Sequence, residues 1–505
     1  MYKYILFQIH VFMDILGLIS IIGTIVTIGS IVTTILIAKV DNNWQRVKDY
    51  YLSRYFKKVV DFTYENDDFA KDTIKYRFRN IIYDLNDIYE DAVIALQKTI
   101  NRPLDKEFNR PLDYDAFYSG EFYIPTFSNL TTNPKDLELL KEFYDHLYEN
   151  YGQKGNKHFL ETAPFIDVEH AFYFYILDKL HDVPDEIKKY MQDDTKGIFD
   201  PYKLKKRSSI EKDIKRANRD KSRIIVCLNA IVRFMNDDFD AGRTKSDLIE
   251  EIIRWSLDSN SYDLSQLRGM GWHETRLMEN DIKGAKGLLQ YLYSLNRGTE
   301  LTINYLVDNA GVEFFSDLVL GYALLNHPEL HVKKINYHVN VLPIFVSDTI
   351  ENDLEHTIKT VENAIKENIK EEDQNKFLSA LSELNDMFDK EKSQAEIIPD
   401  FIWNMPTAYE DIARKKEIYM NSETLLIIKG DLNYRRLCRD KTWHFKTKLE
   451  EITKYINSPT LVIRSFKSDL VLDYTRTRFN ENTQKDKDWR GKGKYGIITF
   501  MKKNG

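Results

Sequence analysis

Four segments of this 505-residue chain put acids, amides and cations where apolar runs end. Leu301 to Val307 is largely apolar and leads straight into Asp308-Asn309-Ala310-Gly311-Val312-Glu313. Lys334 to Val346 reads as a second strand and ends in Ser347-Asp348. Thr424 to Ile428 leads into Lys429-Gly430-Asp431-Leu432-Asn433-Tyr434-Arg435, and Thr460 to Ser465 leads to Lys467. In an open α/β sheet, ligands bind outside the carboxyl ends of the strands. Asp308, Asn309 and Asp348 offer oxygen ligands, which hard cations such as Mg²⁺ and Mn²⁺ prefer. Arg435 offers a fork and Lys467 a point charge for phosphoryl oxygens. Each segment alone also fits a turn or a helix cap. Their order and shared strand-end placement predict a metal bound together with a phosphate.

The matching chemistry is phosphate-monoester hydrolysis. A divalent cation lowers the pKa of water and neutralises developing charge. A covalent aspartyl-phosphate route would want a second acid two residues past Asp308. That position is Ala310, which favours direct attack by water. Glu313 either orients that water, binds the substrate, or is simply a first-turn helix charge. His327-Pro328-Glu329-Leu330-His331 reads as a turn, since Pro328 disfavours the continuous helix a zinc site needs. No Gly-x-Gly-x-x-Gly or Walker A loop supports a dehydrogenase or a nucleotide motor.

The elements that must hold these residues follow from periodicity. After Leu301, strand-like runs alternate with helix-like runs at Phe314 to Leu325, Glu351 to Phe388 and Tyr409 to Tyr419. Such alternation predicts a mainly parallel sheet covered on both faces, a three-layer α/β/α domain over 296–505. Residues 42–295 read as a mainly helical domain, with Ile74, Phe78, Ile81, Leu85 and Ile88 as one apolar stripe. Asn101 to Pro134 reads as a long loop. The basic run over Lys203, Lys205, Lys206 and Arg207 reads as a solvated helix face or loop.

A net charge of −7 gives no reason to expect nucleic acid as a partner. Cys227 and Cys438 alone exclude a disulfide framework or a Cys-based zinc site. Residues 1–41 form a hydrophobic segment. Ile15 to Ala38 carries no charge and is long enough to cross a bilayer of about 30 Å as a helix. Lys39, Arg46, Lys48 and Arg54 follow it, and only Lys3 precedes it. The expectation is a membrane-spanning anchor with the catalytic part in the cytosol. Read as a buried helix or an extension instead, the segment leaves the protein cytosolic.

The sequence resembles the metal-dependent damage-control phosphatases, the domain-of-unknown-function-89 superfamily, in its acidic-residue methyltransferase-1-like branch. The resemblance runs from about Ala163 to Phe500. It rests on Val307 to Glu313 with Asp317-Leu318, Pro343 to Thr349 with Asp353, Lys429 to Leu437, Ile463 to Asp469, and Gly493 to Ile497. Upstream, Asn260 and Asp263-Leu264-Ser265 resemble the family's Asn-x-x-Asp-Leu-Ser element, although Asp258-Ser259 stands where the family commonly has Trp-Gly. The resemblance implies a helical domain packed on an α/β/α domain with the active site between them. It implies that Asp308, Asn309 and Asp348 hold Mn²⁺ or Mg²⁺, with Co²⁺ or Ni²⁺ as further options. It implies that Asp431, Leu432, Asn433, Tyr434, Arg435 and Lys467 bind a small phosphorylated metabolite, with Glu313 and Asn260 beside them. Sugar phosphates such as fructose 1-phosphate are typical of the branch. The competing readings are an S-adenosylmethionine-dependent carboxyl methyltransferase and a non-enzymatic, membrane-tethered binding protein.

Overall fold

The computed structural model describes residues 74–100, 110–192, 199–216, 222–239, 242–259, 276–277, 282–296, 300–415, 424–441, 443–487, 489–491 and 493–502. All belong to the unit Asp72–Gly505. The hydrophobic segment Ile15 to Ala38 and the Asn260 element lie outside the described residues. Among the described residues, no helix is long and apolar enough to cross a membrane.

Seven strands form the central sheet: β1 (Arg276–Leu277), β2 (Leu301–Leu306), β3 (Val332–Val339), β4 (Ala395–Pro399), β5 (Thr424–Lys429), β6 (Thr460–Ser465) and β7 (Tyr495–Met501). They lie in the order β1-β7-β6-β5-β2-β3-β4. Every neighbouring pair is parallel except β6 with β7. The inner strands β5 and β6 are near-continuous apolar runs, as a sheet covered on both faces requires. Successive side chains point to opposite faces. Leu425 and Ile427 therefore enter one core while Leu426 and Ile428 enter another.

Helices cover both faces. The principal ones are α1 (Ile74–Ile100), α2 (Phe165–His181), α3 (Lys203–Ile214), α4 (Arg223–Asn236), α5 (Lys245–Ser259), α6 (Val312–Leu325), α7 (Asp353–Asn368), α8 (Glu371–Asp386) and α9 (Asp431–Leu437). Helices α4 to α8 share the core of β2, β3, β5 and β6 through residues such as Leu228, Ile252, Phe315, Val361 and Leu381. Tyr409, Ile412, Leu437 and Leu449 pack on the other face. A third core joins Phe78 and Leu85 of the α1 stripe to Phe172 and Phe174 of α2. It also takes in Ile344, Phe345 and Val346, just before Asp348.

Four expectations need correcting. The second strand stops at Val339 instead of reaching Val346. Pro343 cannot donate to a ladder, and Phe345 and Val346 take left-handed backbone conformations at φ 56° and 67°. Asn101 to Pro134 contains helices at Tyr114–Ser119 and Phe127–Leu130, the first capped by Asp113. Lys206 lies in the basic run yet is fully buried in an ion pair. The core also runs across 295/296, because α5 packs on β6 and β7 while α4 packs on α6 and α8. The helix-like run expected at Glu351 to Phe388 holds α7 and α8.

The sheet order locates the ligand crevice. From β2 the chain proceeds outward through β3 to β4, then returns to β5 on the opposite side of β2. The carboxyl end of β2 is therefore the switch point, where an open α/β sheet leaves a crevice. Asp308 follows β2 at that end.

Candidate active site

Asp308 and Asp348 are far apart in sequence, and an antiparallel bridge between Asn309 and Asp348 joins their loops. The Thr349 N–H donates to the Asp308 carbonyl at 3.0 Å, and the Ala310 N–H donates to the Ser347 carbonyl at 2.7 Å. Both carboxylates line one cavity of about 10 Å³, with Asn340, His338 and Arg436 also in its wall. That is about the room one water needs. Asn309 Nδ2 donates to Asp308 Oδ2 at 2.9 Å, and Asn340 Nδ2 donates to Asp348 Oδ2 at 2.8 Å. Gly430, at φ +91°, comes so close that a Cβ there would collide with the Asp308 carboxylate. Only glycine meets both demands.

The loop presenting Asp348 carries backbone strain. Val346 at positive φ is an outlier for a β-branched residue. Such strain costs on the order of 1–3 kcal/mol and persists where surroundings over-determine it. Here Phe345 is wedged against His170 and Tyr173, with ring centroids at 4.8 and 4.9 Å.

Two buried lysines anchor the two loops. Lys429 lies 2.9 Å from Glu313 and 3.0 Å from Asp317, and all three side chains are inaccessible. Ser256 Oγ donates to Asp317 at 2.6 Å, and Asn309 Nδ2 donates to Glu313 at 2.8 Å. Glu313 thus sits inside the protein as the support of Asn309. Burial pushes the Lys429 pKa down, but Asp317 and Glu313 more than reverse this, so the ammonium form prevails. Lys206 pairs with Asp200 at 2.9 Å and Asp353 at 2.7 Å, and donates to the Asp348 carbonyl at 2.9 Å. Sequence reasoning gave no role to Lys206, Asp200, Lys429, Asp317 or Asp353. The last three were nevertheless within the segments that carried the resemblance.

The segment from Asp431 to Arg435 forms the first residues of α9, and most of its side chains are engaged within the fold. Asp431 accepts from Arg464 Nε at 2.6 Å and from the Lys467 N–H at 3.3 Å. Asn433 bridges strand ends, donating to the Val307 and Lys429 carbonyls while Tyr409 donates to it. Tyr434 is buried beneath the Arg464 guanidinium, 4.1 Å from its ring centroid. Leu432 borders the small cavity. Arg435 gives two bonds to Asp440, at 2.7 and 2.9 Å, and one to Glu169 of α2 at 3.2 Å. It thereby ties the helical layer to the sheet. Lys467 is half-buried on the loop after β6. Arg464, unassigned at the sequence level, shapes that loop by donating to the Leu470 carbonyl and to Ser468 Oγ.

Electrostatics mark the same seam. Burial and the nearby Asp440 raise the Asp167 pKa to about 7, against the pull of Arg435. Burial lowers the His170 pKa from 6.5 to about 3. His170 is therefore neutral in the fold, while the unfolded chain takes up its proton first as pH falls. Its contribution is intact above about pH 6.5 and is lost as pH falls toward 3. The His170→Phe variant should lose less stability than the parent between pH 6.5 and 4, by up to about 1.4 kcal/mol per pH unit. Urea unfolding across that range measures this, and parallel pH profiles would refute it.

The donor set fits a hard divalent cation. Asp308, Asp348 and the Asn309 side-chain carbonyl all offer oxygen atoms, each held by a neighbouring donor in the way that metal ligands commonly are. Ser347 Oγ uses one lone pair of the Asn309 carbonyl, at 2.6 Å, and a second remains. Among the described residues, no group of three or more His, Cys, Asp or Glu side chains is arranged to hold a metal. The set therefore depends on the amide.

A family model, the damage-control phosphatase ARMT1-like domain, matches residues 128–481. The Xenopus tropicalis protein called damage-control phosphatase ARMT1 is 28% identical over 246 residues, 47% of this chain and 53% of that protein. The Bos taurus protein of the same name is 26% identical over 282 residues, covering 52% and 61%. The chain spans about half the length of the curated relatives it matches. A solved DUF89 family protein from Pyrococcus horikoshii aligns with 75% of this chain and 93% of that one, at a TM-score of 0.29 and 11% identity.

Proposed function

Because the chain belongs to the damage-control phosphatase ARMT1-like domain family, we propose that it is a divalent-metal-dependent phosphatase acting on small phosphorylated metabolites, sugar phosphates such as fructose 1-phosphate among them. One observation carries this reading. Two distant carboxylates, Asp308 and Asp348, are bridged into one small cavity at the switch point of the sheet. Asp308, Asn309 and Asp348 would hold the cation. The chemistry a divalent cation supplies there is neutralisation of phosphoryl charge and activation of water. Glu313 and Asn340 orient the donor groups. Lys467 grips phosphoryl oxygens. The Asp431–Arg435 segment meets the substrate through its backbone and through Leu432, since its polar side chains are engaged elsewhere. Arg435, paired with Asp440 and Glu169, ties α2 to the start of α9.

Phosphate release from a panel of sugar phosphates, with and without Mn²⁺, tests the reading. A folded protein that releases phosphate from none of them overturns it. Within the same assay, Lys467→Ala should lower kcat/KM by about 2–4 kcal/mol, as removal of one contact to developing charge does. An effect below about threefold would put Lys467 outside the phosphate grip.

A further inference from the structure

A second polar cleft lies between α3 and α7, with a volume of about 160 Å³. Residues four apart share a helix face, so Lys203 and Arg207 both look into it from α3. His356, Lys359 and Thr360 face them from α7. Two acids also reach the cleft. Glu211 accepts from Arg207 Nε at 2.7 Å, and Glu367 lies about three turns along α7 from His356. Nε2 of His356 is buried and makes no hydrogen bond within the protein. A buried polar atom in that state costs free energy. The cations acting on it are Lys203, Lys206 and Arg207, all on α3.

We propose that this cleft binds a phosphate-bearing anion, separately from the metal site, between Lys203 and Arg207 on one side and His356 and Lys359 on the other. The binding itself does not depend on the phosphatase reading. The electrostatics of His356 agree with it. Burial first, then Lys203, Lys206 and Arg207, lower its pKa to about 4, with Asp200 opposing. A bound anion reverses that balance, so binding and proton uptake by His356 are linked. Lys206 links the two helices that form the cleft to the Asp348 loop. Lys206 holds the Asp348 carbonyl and pairs with Asp353 at the start of α7. An occupant drawing α3 and α7 together acts on that loop, and this coupling to catalysis rests on the phosphatase reading.

The test uses the full-length Asp308→Asn protein, so that phosphate at the metal site does not interfere. The His356 ring Cε1–H resonance, assigned by its loss in His356→Gln, is titrated against pH with and without inorganic phosphate, and again with a sugar monophosphate. The expected result is an upward pKa shift of about one unit or more, the size a close opposite charge produces. The Lys203→Ala, Arg207→Ala double variant should lose that shift. Both side chains are partly exposed, so the fold should survive their removal. A shift with the sugar phosphate alone identifies a metabolite site, and a shift with both anions identifies a site for the phosphate group itself. No shift with either anion, or one that persists in the double variant, overturns the proposal.

Discussion

Asp308→Asn is expected to cut metal-dependent phosphate release by about a thousandfold while leaving the fold intact. The variant keeps an oxygen to accept from Asn309 Nδ2, so the local hydrogen bond survives. It loses the negative charge that a divalent cation needs. Charge neutralisation by a metal is worth several kcal/mol in the transition state, and about 4 kcal/mol is about a thousandfold. Stability should hold or rise slightly, because Asp308 and Asp348 face one small cavity and like charges there oppose each other. Steady-state rates at saturating Mn²⁺, with a thermal melt alongside, measure both. Activity within about tenfold of the parent would remove Asp308 from the metal site.

Lys429→Met should have the largest effect on stability, about 3–5 kcal/mol. The methionine fills much of the same space. It leaves Glu313 and Asp317 as inaccessible carboxylates without their shared ammonium. Burial already raises the Asp317 pKa, with Lys429 opposing and Glu313 adding to the rise. Removing Lys429 lets that rise run on, so the variant should be most impaired at neutral and higher pH and partly recovered in mild acid. Adding Asp317→Asn to Lys429→Met should restore part of the loss. Activity should fall as well, since Glu313 orients Asn309. Urea unfolding at two pH values measures this. A loss below about 1 kcal/mol would show that water or relaxation shields the carboxylates, contrary to their complete burial.

Much of the molecule follows from local sequence. The near-continuous apolar runs of β5 and β6 specify strands buried on both faces, and the α1 stripe specifies a helix with one buried edge. Acids and amides directly after apolar runs specify strand-end loops, because strand ends at a switch point are where polar side chains can meet without breaking a core. Asp308 and Asn309 follow the end of β2 in this way, whereas Asp348 lies well past the end of β3 and meets Asn309 through a bridge.

Tertiary structure decided the rest. No local pattern reveals that the Asp348 loop leaves its strand at Val339 and returns to Asn309 through a bridge, because the left-handed turn at Phe345 and Val346 is stabilised by packing against α2. No local pattern separates Lys206 from Lys205 and Arg207 in a basic run. Lys206 is buried because Asp200 and Asp353 meet it across separate elements. The same holds for Arg435, whose fork could have been open to a phosphate. Asp440 takes it from the next turn of chain and Glu169 from another helix. Side-chain type determined which residues could carry charge to this site. The partners that desolvate and pair each charge come from distant parts of the chain, so only the fold determined which charges face the cleft and which hold it in shape.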